Sequence, residues 1–112
     1  MNKVYTVTQI TSYLKSLIGR DAVLRALSVK GELSNVKYHS SGHIYFTIKD
    51  DGAAMSGVMF ASDAYALDFE LSNGMKVEIT GAVGIYEKAG SYQIYAKKIT
   101  KEGKGELYER YL

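Results

Sequence analysis

Between Leu27 and Lys49 apolar residues alternate with polar ones on both sides of a turn, and a period of two restricts each arm to a half-buried β-strand. In the first arm Leu27, Val29, Gly31 and Leu33 alternate with Ser28, Lys30, Glu32 and Ser34; in the second Ile44, Phe46 and Ile48 alternate with Tyr45, Thr47 and Lys49. The segment Tyr38-His39-Ser40-Ser41-Gly42 between them supplies turn residues. Successive strand side chains point to opposite faces, so placing Ile44, Phe46 and Ile48 inward sends Tyr45, Thr47 and Lys49 outward. An aromatic ring, a hydroxyl and an ammonium on one face are groups that stack bases and hold phosphates.

Strand patterns run over Ala26 to Tyr38, His43 to Lys49, Ala53 to Phe60, Met75 to Tyr86 and Ser91 to Thr100. In the third, Met55, Gly57 and Met59 inward leave Ser56, Val58 and Phe60 outward. Ahead of the strands, Val7, Ile10, Leu14, Leu17 and Ile18 paint one helical stripe; Thr6 with Gln9 fits a capping box and Gly19 ends the helix. So short a helix must lay its stripe on the barrel, on a partner chain or on the remainder of a longer protein, and the first two are favoured. A short helix is expected over Asp63 to Leu71, capped by Asp63. Asn73-Gly74 and Lys88-Ala89-Gly90 read as turns, and Gly31 and Gly81, in mid-strand, mark bulges or sharp bends.

Five strands with these helices give a mainly β fold: a five-stranded OB-fold barrel (oligonucleotide-binding) with an N-terminal helix and a short helix between strands three and four. Residues 1–25 form the helix and connector, residues 26–101 the barrel, and residues 102–112 the start of a linker or helix that borrows a neighbour for support.

With 112 residues, 46% of them hydrophobic, the chain can bury one core and not two. The net charge of +2 permits nucleic-acid binding without requiring it, but the charges are segregated. Asp50, Asp51, Asp63, Asp68, Glu70 and Glu78 face a single base, Lys76, over the middle of the chain, whereas Lys88, Lys97, Lys98 and Lys101 face Glu87 later on. One basic face is therefore allowed. No cysteine is present, which excludes disulfides and thiolate metal sites, and no apolar run approaches a membrane span, so a cytoplasmic protein is expected.

The run Gly31-Glu32-Leu33-Ser34-Asn35, Lys37, His39-Ser40-Ser41-Gly42-His43, Tyr45-Phe46 and Lys49-Asp50, then Val58-Met59-Phe60, Asn73-Gly74-Met75-Lys76-Val77 and Tyr92-Gln93, resembles the N-terminal domain of the exodeoxyribonuclease VII large subunit. The resemblance runs from Thr6-Val7-Thr8 to Gly105-Glu106-Leu107-Tyr108. It implies a barrel that binds single-stranded DNA and feeds it to a nuclease that releases short oligonucleotides, with the hydrolytic residues beyond this chain. It also implies assembly with copies of a small helical subunit and no strict need for a divalent metal, so no cofactor is expected. One departure is Ser56, where many members carry a basic side chain; its loss weakens the binding expected of the isolated domain.

In OB barrels the second and third strands, flanked by the loops joining strands one to two and four to five, carry the ligand. The expected contact residues are Lys37, His39, Ser40, His43, Tyr45, Lys49, Phe60, Lys88 and Tyr92. Tyr45 and Phe60 stack bases while Lys37, Lys49 and Lys88 follow phosphates. Tyr92 and Tyr95 fall on opposite faces of the last strand, so only one can join. His39 and His43 have no third ligand but Asp50 or Asp51 across a strand, and no metal site is read. Asp50 and Asp51 cap a hairpin, and no catalytic residue is assigned. Two rival readings stand. One is an RNA-binding barrel, since Tyr45-Phe46-Thr47-Ile48-Lys49-Asp50 also resembles the anticodon-binding barrels of class II synthetases. The other is an assembly domain, a homodimer formed through Ile10, Leu14 and Leu17, with little nucleic-acid affinity.

Overall fold

The computed structural model describes residues 2–102. Helix α1 (Val7–Arg20) and one turn of helix, α2 (Ala22–Arg25), lead into five strands: β1 (Leu27–Tyr38), β2 (Ile44–Lys49), β3 (Ala54–Met59), β4 (Lys76–Tyr86) and β5 (Ser91–Lys101). A short helix, α3 (Ala61–Ala64), lies between β3 and β4. The strands close in the order β1-β2-β3-β5-β4. Closure leaves no unpaired edge, and it depends on β1 being long enough to serve two neighbours. Its first half, Leu27 to Glu32, pairs antiparallel with β4, and Glu32 to Tyr38 pairs antiparallel with β2. The seam is a short parallel pairing of β3 with β5, Ser56 to Gln93 through Val58 to Tyr95.

The five strands and their limits agree with the alternation pattern to within a residue. Leu33, Ile44, Phe46, Ile48, Met59, Val77, Ile79, Ile94 and Ile99 fill the barrel, each with almost no exposure, and burying each large aliphatic side chain contributes about 1.5–3 kcal/mol. Two glycines make the packing possible. A Cβ on Gly57 would lie 2.2 Å from Cε1 of Phe46, so the ring occupies the space a side chain would need. A Cβ on Gly81 would lie 2.0 Å from the Tyr95 carbonyl oxygen, at a bulge where the β4–β5 register shifts by one. Gly31 marks the bend where β1 passes from one partner to the other, and a Cβ there would lie 2.7 Å from the Lys49 carbonyl oxygen.

Local signals near the helices fare unevenly. Thr6 and Gln9 form the capping box read from sequence, the Thr6 hydroxyl accepting from Gln9 N–H and Gln9 Oε1 accepting from Thr6 N–H. Gly19 does not end α1; Asp21 does, and the same carboxylate accepts from the Val23 and Leu24 amides to start α2. The helix after β3 corrects the expectation more clearly. It covers Ala61–Ala64, not Asp63 to Leu71, and Asp63 lies inside it with its carboxylate 3.3 Å from Lys97 Nζ. The first amide of α3, Ala61 N–H, instead donates to His43 Nδ1 at 2.9 Å. A side chain from another loop thus does the capping, which local sequence cannot reveal. The expectation for residues 103–112 lies outside the described residues.

α1 rests on the β4 side of the barrel and buries none of its residues fully. Its Lys15 ammonium meets the Glu87 carboxylate at 2.6 Å, and that hydrogen bond, with the opposite charge, holds Lys15 above the usual lysine range.

Candidate nucleic-acid interface

The outward face of β2, β3 and β5 is a grid whose rows are set by strand register. One row runs Lys37, Tyr45, Val58, Tyr95; the next runs Thr47, Ser56, Gln93. Cross-strand neighbours on one face stand close enough for side chains to touch. Val58 points outward by parity, yet it is 2% exposed. This corrects its reading as a surface residue: with tyrosines on both cross-strand sides it is the covered floor of a groove. The groove is lined by Lys37, Tyr45, Phe60, Tyr86, Gln93 and Tyr95 around that floor.

Rings follow one another along the rim. His39 meets Tyr45 edge-on with centroids 6.1 Å apart, and His43 meets Tyr45 at 6.4 Å. His43 then meets Phe60 at 5.3 Å, and Phe60 lies 5.8 Å from Tyr95, tilted by 31°. Tyr45 and Phe60 remain 42% and 41% exposed, so each offers ring surface to a ligand. Tyr95 lies over Gly84, where a Cβ would come within 2.9 Å of its Cε2.

The loop between β1 and β2 is held by its own polar groups. His39 N–H donates to the His43 carbonyl at 3.0 Å, and Gly42 N–H donates to the His39 carbonyl at 2.9 Å, with Gly42 at φ 95°. His39 Nδ1 accepts from Ser41 N–H at 3.1 Å and lies 2.8 Å from Ser41 Oγ. His43 Nδ1 accepts from Ala61, so the neutral ring carries its proton on Nε2. The two histidines therefore order the loop and seat Phe60 beside Tyr45, while Ser40 sits exposed at the tip. The Tyr38 hydroxyl accepts from Leu71 N–H at 2.6 Å and ties this end of the barrel to the β3–β4 connection.

Lys37 reaches the groove through an irregularity that the sequence does not announce. Strict alternation from buried Leu33 would turn Lys37 inward. Asn35 instead adopts φ 52°, a β-bulge separates the Ser34–Thr47 and Lys37–Tyr45 pairs, and the phase reverses. Val36 then packs on the core and Lys37 stands beside Tyr45. The Asn73 side chain accepts from Val36 N–H at 2.9 Å, which satisfies an amide the bulge takes out of the ladder.

The remaining candidates separate. Lys49 points outward as expected, but at the far end of β2, 3.9 Å from the Glu32 carboxylate in a cleft with Lys30, Asp50 and Asp51. Lys88 is exposed in the β4–β5 turn, where the Tyr86 carbonyl accepts from Gly90 N–H at 2.9 Å. Tyr92 has the parity of Ile94 and lies over Val29, Ile48 and Met55, away from the groove; Tyr95 takes its place. Tyr95, Tyr86, Gln93 and Asn35 were not singled out as contacts. Ile94 and Ala96, both buried, carry the signal that would have placed Gln93 and Tyr95 outward. Asp50 accepts from the Gly52 and Ala53 amides, as a hairpin-capping residue does. Among the described residues no three His, Cys, Asp or Glu are placed to hold a metal ion, and no helix is long and apolar enough to cross a membrane.

Comparison with known proteins agrees with this architecture. Residues 5–100 match the family model described as OB-fold nucleic acid binding domain. Exodeoxyribonuclease 7 large subunits are similar along almost the whole chain. The one from Clostridium botulinum (strain Okra / Type B1) is 54% identical over 95% of this chain and 26% of its own length. Those of Clostridium beijerinckii and Clostridium perfringens (strain SM101 / Type A) are 50% and 48% identical over 97% of this chain and 27% of their own lengths. The chain thus spans about a quarter of the length of these curated relatives. A chain of the S. pombe Stn1–Ten1 complex crystal structure superposes with a TM-score of 0.60 at 14% identity, over 77% of this chain and 64% of that one, a likeness of fold. Barrel order, groove position and family match converge: the chain belongs to the family of OB-fold nucleic acid binding domains.

Proposed function

We propose that the Tyr45 groove binds single-stranded DNA and delivers it to a nuclease centre outside this chain, in an exodeoxyribonuclease VII large subunit that degrades single strands to short oligonucleotides. The observation that carries this reading is the unbroken path of rings from His39 to Tyr95, beside Lys37 and with no carboxylate among the described groove-lining residues. Bases stack on Tyr45, Phe60 and Tyr95, and Lys37 and Lys88 neutralise phosphates from two sides. Stacking suits any base, and lysines read only the backbone. The names of the relatives favour DNA over RNA. In the full enzyme the small helical subunit is a further partner, and the assembly acts in the cytoplasm. Ser40, His39 and His43 present the loop edge to the strand, while Lys49 and Tyr92 lie beyond the groove.

The test is fluorescence anisotropy with a labelled single-stranded DNA oligomer, against duplex DNA and single-stranded RNA at two salt concentrations. Salt-sensitive binding strongest for single-stranded DNA supports the proposal; equal or tighter binding of RNA contradicts it. A second reading, assembly, has one observation of its own: Ile10, Leu14 and Leu17 are 42%, 45% and 42% exposed along one stripe of α1. Under that reading sedimentation shows a concentration-dependent dimer that Leu14→Glu dissolves, and a monomer at all concentrations contradicts it.

A further inference from the structure

The groove has a second row that neither stacking nor phosphate neutralisation uses. Thr47, Ser56 and Gln93 lie side by side across β2, β3 and β5, one row below Tyr45, Val58 and Tyr95. Two residues along a strand amount to roughly 6.5 Å, about the reach from the middle of a base stacked on the upper row to its hydrogen-bonding edge. The Thr47 hydroxyl is 3.4 Å from Asn35 Nδ2, Ser56 is exposed, and Gln93 lies beside it across the β3–β5 seam. Gln93 is half-buried, and its cross-strand neighbour Gly84 carries no side chain to cover it. The Tyr95 ring leans over Gly84, which brings ring and amide together.

We infer that Thr47, Ser56 and Gln93 form a base-edge subsite, in which Gln93 pairs with the exposed edge of a base in the single strand and, where that base is adenine, with its amino group. The inference rests on the single-strand reading of the groove and deepens it. A glutamine amide offers one donor and one acceptor, the complement of adenine's amino group and the ring nitrogen beside it, and a bidentate pair follows. The flanking hydroxyls of Ser56 and Thr47 donate or accept and so complete the edge without selecting against adenine.

The experiment uses short thymidine oligomers carrying one central adenine, or in its place purine, which lacks only the amino group. The wild-type protein is expected to bind the adenine oligomer about tenfold more tightly than the purine oligomer. Gln93→Met, of similar length and without polar atoms, should bind both equally with an unchanged salt dependence. Gln93→Glu, which keeps the acceptor, should retain preference for adenine over purine at lower affinity. Equal binding of both oligomers by the wild type, or a tenfold ratio kept by Gln93→Met, overturns the inference while leaving single-strand binding intact. Failure of the wild type to bind either oligomer at low salt overturns the single-strand reading, and this inference with it.

Discussion

Tyr45 and Gly57 lie on adjacent strands and face opposite sides of the sheet, and their substitutions should fail in different ways. Tyr45→Ala removes a ring that is 42% exposed and outside the core, so the fold should persist while single-strand affinity falls. One lost stack, about 1–3 kcal/mol, corresponds to about a 5- to 150-fold weaker dissociation constant, which anisotropy measures. Gly57→Ala drives a Cβ into the Phe46 ring and should lower stability by about 1–3 kcal/mol, read as the shift in denaturant midpoint. The facing of Tyr45 was legible because Ile44, Phe46 and Ile48 keep strict alternation on a strand without a bulge. Tyr92 was preferred to Tyr95 although Ile94 and Ala96 mark Tyr95 as outward, and the pairing of β5 beside β3 brings that outward ring to Phe60.

At the scale of elements, the strand limits were written in the pattern of side chains and the devices that aim those side chains were not. Gly81 announced its bulge; Asn35 gave no such sign, because asparagine tolerates the left-handed region without being confined to it. Asn35→Val should strain β1 by about 1–2 kcal/mol, while Asn35→Gly, which accepts φ 52°, should keep both fold and binding. Thermal unfolding distinguishes the two. With the bulge intact, Lys37→Met should flatten the dependence of log affinity on log salt by about 0.7, the share of one phosphate contact on a single strand. The tie between α1 and the β4–β5 turn has its own signature. Lys15 is raised above its ordinary range by Glu87, so the pair contributes fully below the unfolded lysine value of about 10.4 and is lost as pH rises through the higher folded value. Melting curves of wild type and Glu87→Gln should therefore differ by a constant amount at neutral pH and converge as pH rises through that alkaline window.

On the scale of the whole molecule, closure through the β3–β5 seam places four strands' worth of outward residues on one continuous surface. Five strands with two glycines in mid-strand made a small barrel readable, since flat strands would not tolerate those glycines. The capping of α3 by His43 was not readable, because the two residues lie 18 apart and meet only after the barrel closes. A second cleft, where Lys97, Lys98 and Lys101 stand near Phe69, competes with the Tyr45 groove as the basic face. The Lys101 ammonium lies 5.1 Å from the Phe69 ring centre and Lys97 is paired with Asp63, so two of these cations already have partners. The most direct measurement is a nuclear magnetic resonance titration of isotope-labelled protein with a short single-stranded DNA. Shifts concentrated at Lys37, Tyr45, Val58, Phe60, Gln93 and Tyr95 are the predicted result. Shifts confined to Lys97 through Lys101, or to the exposed stripe of α1, would contradict the account.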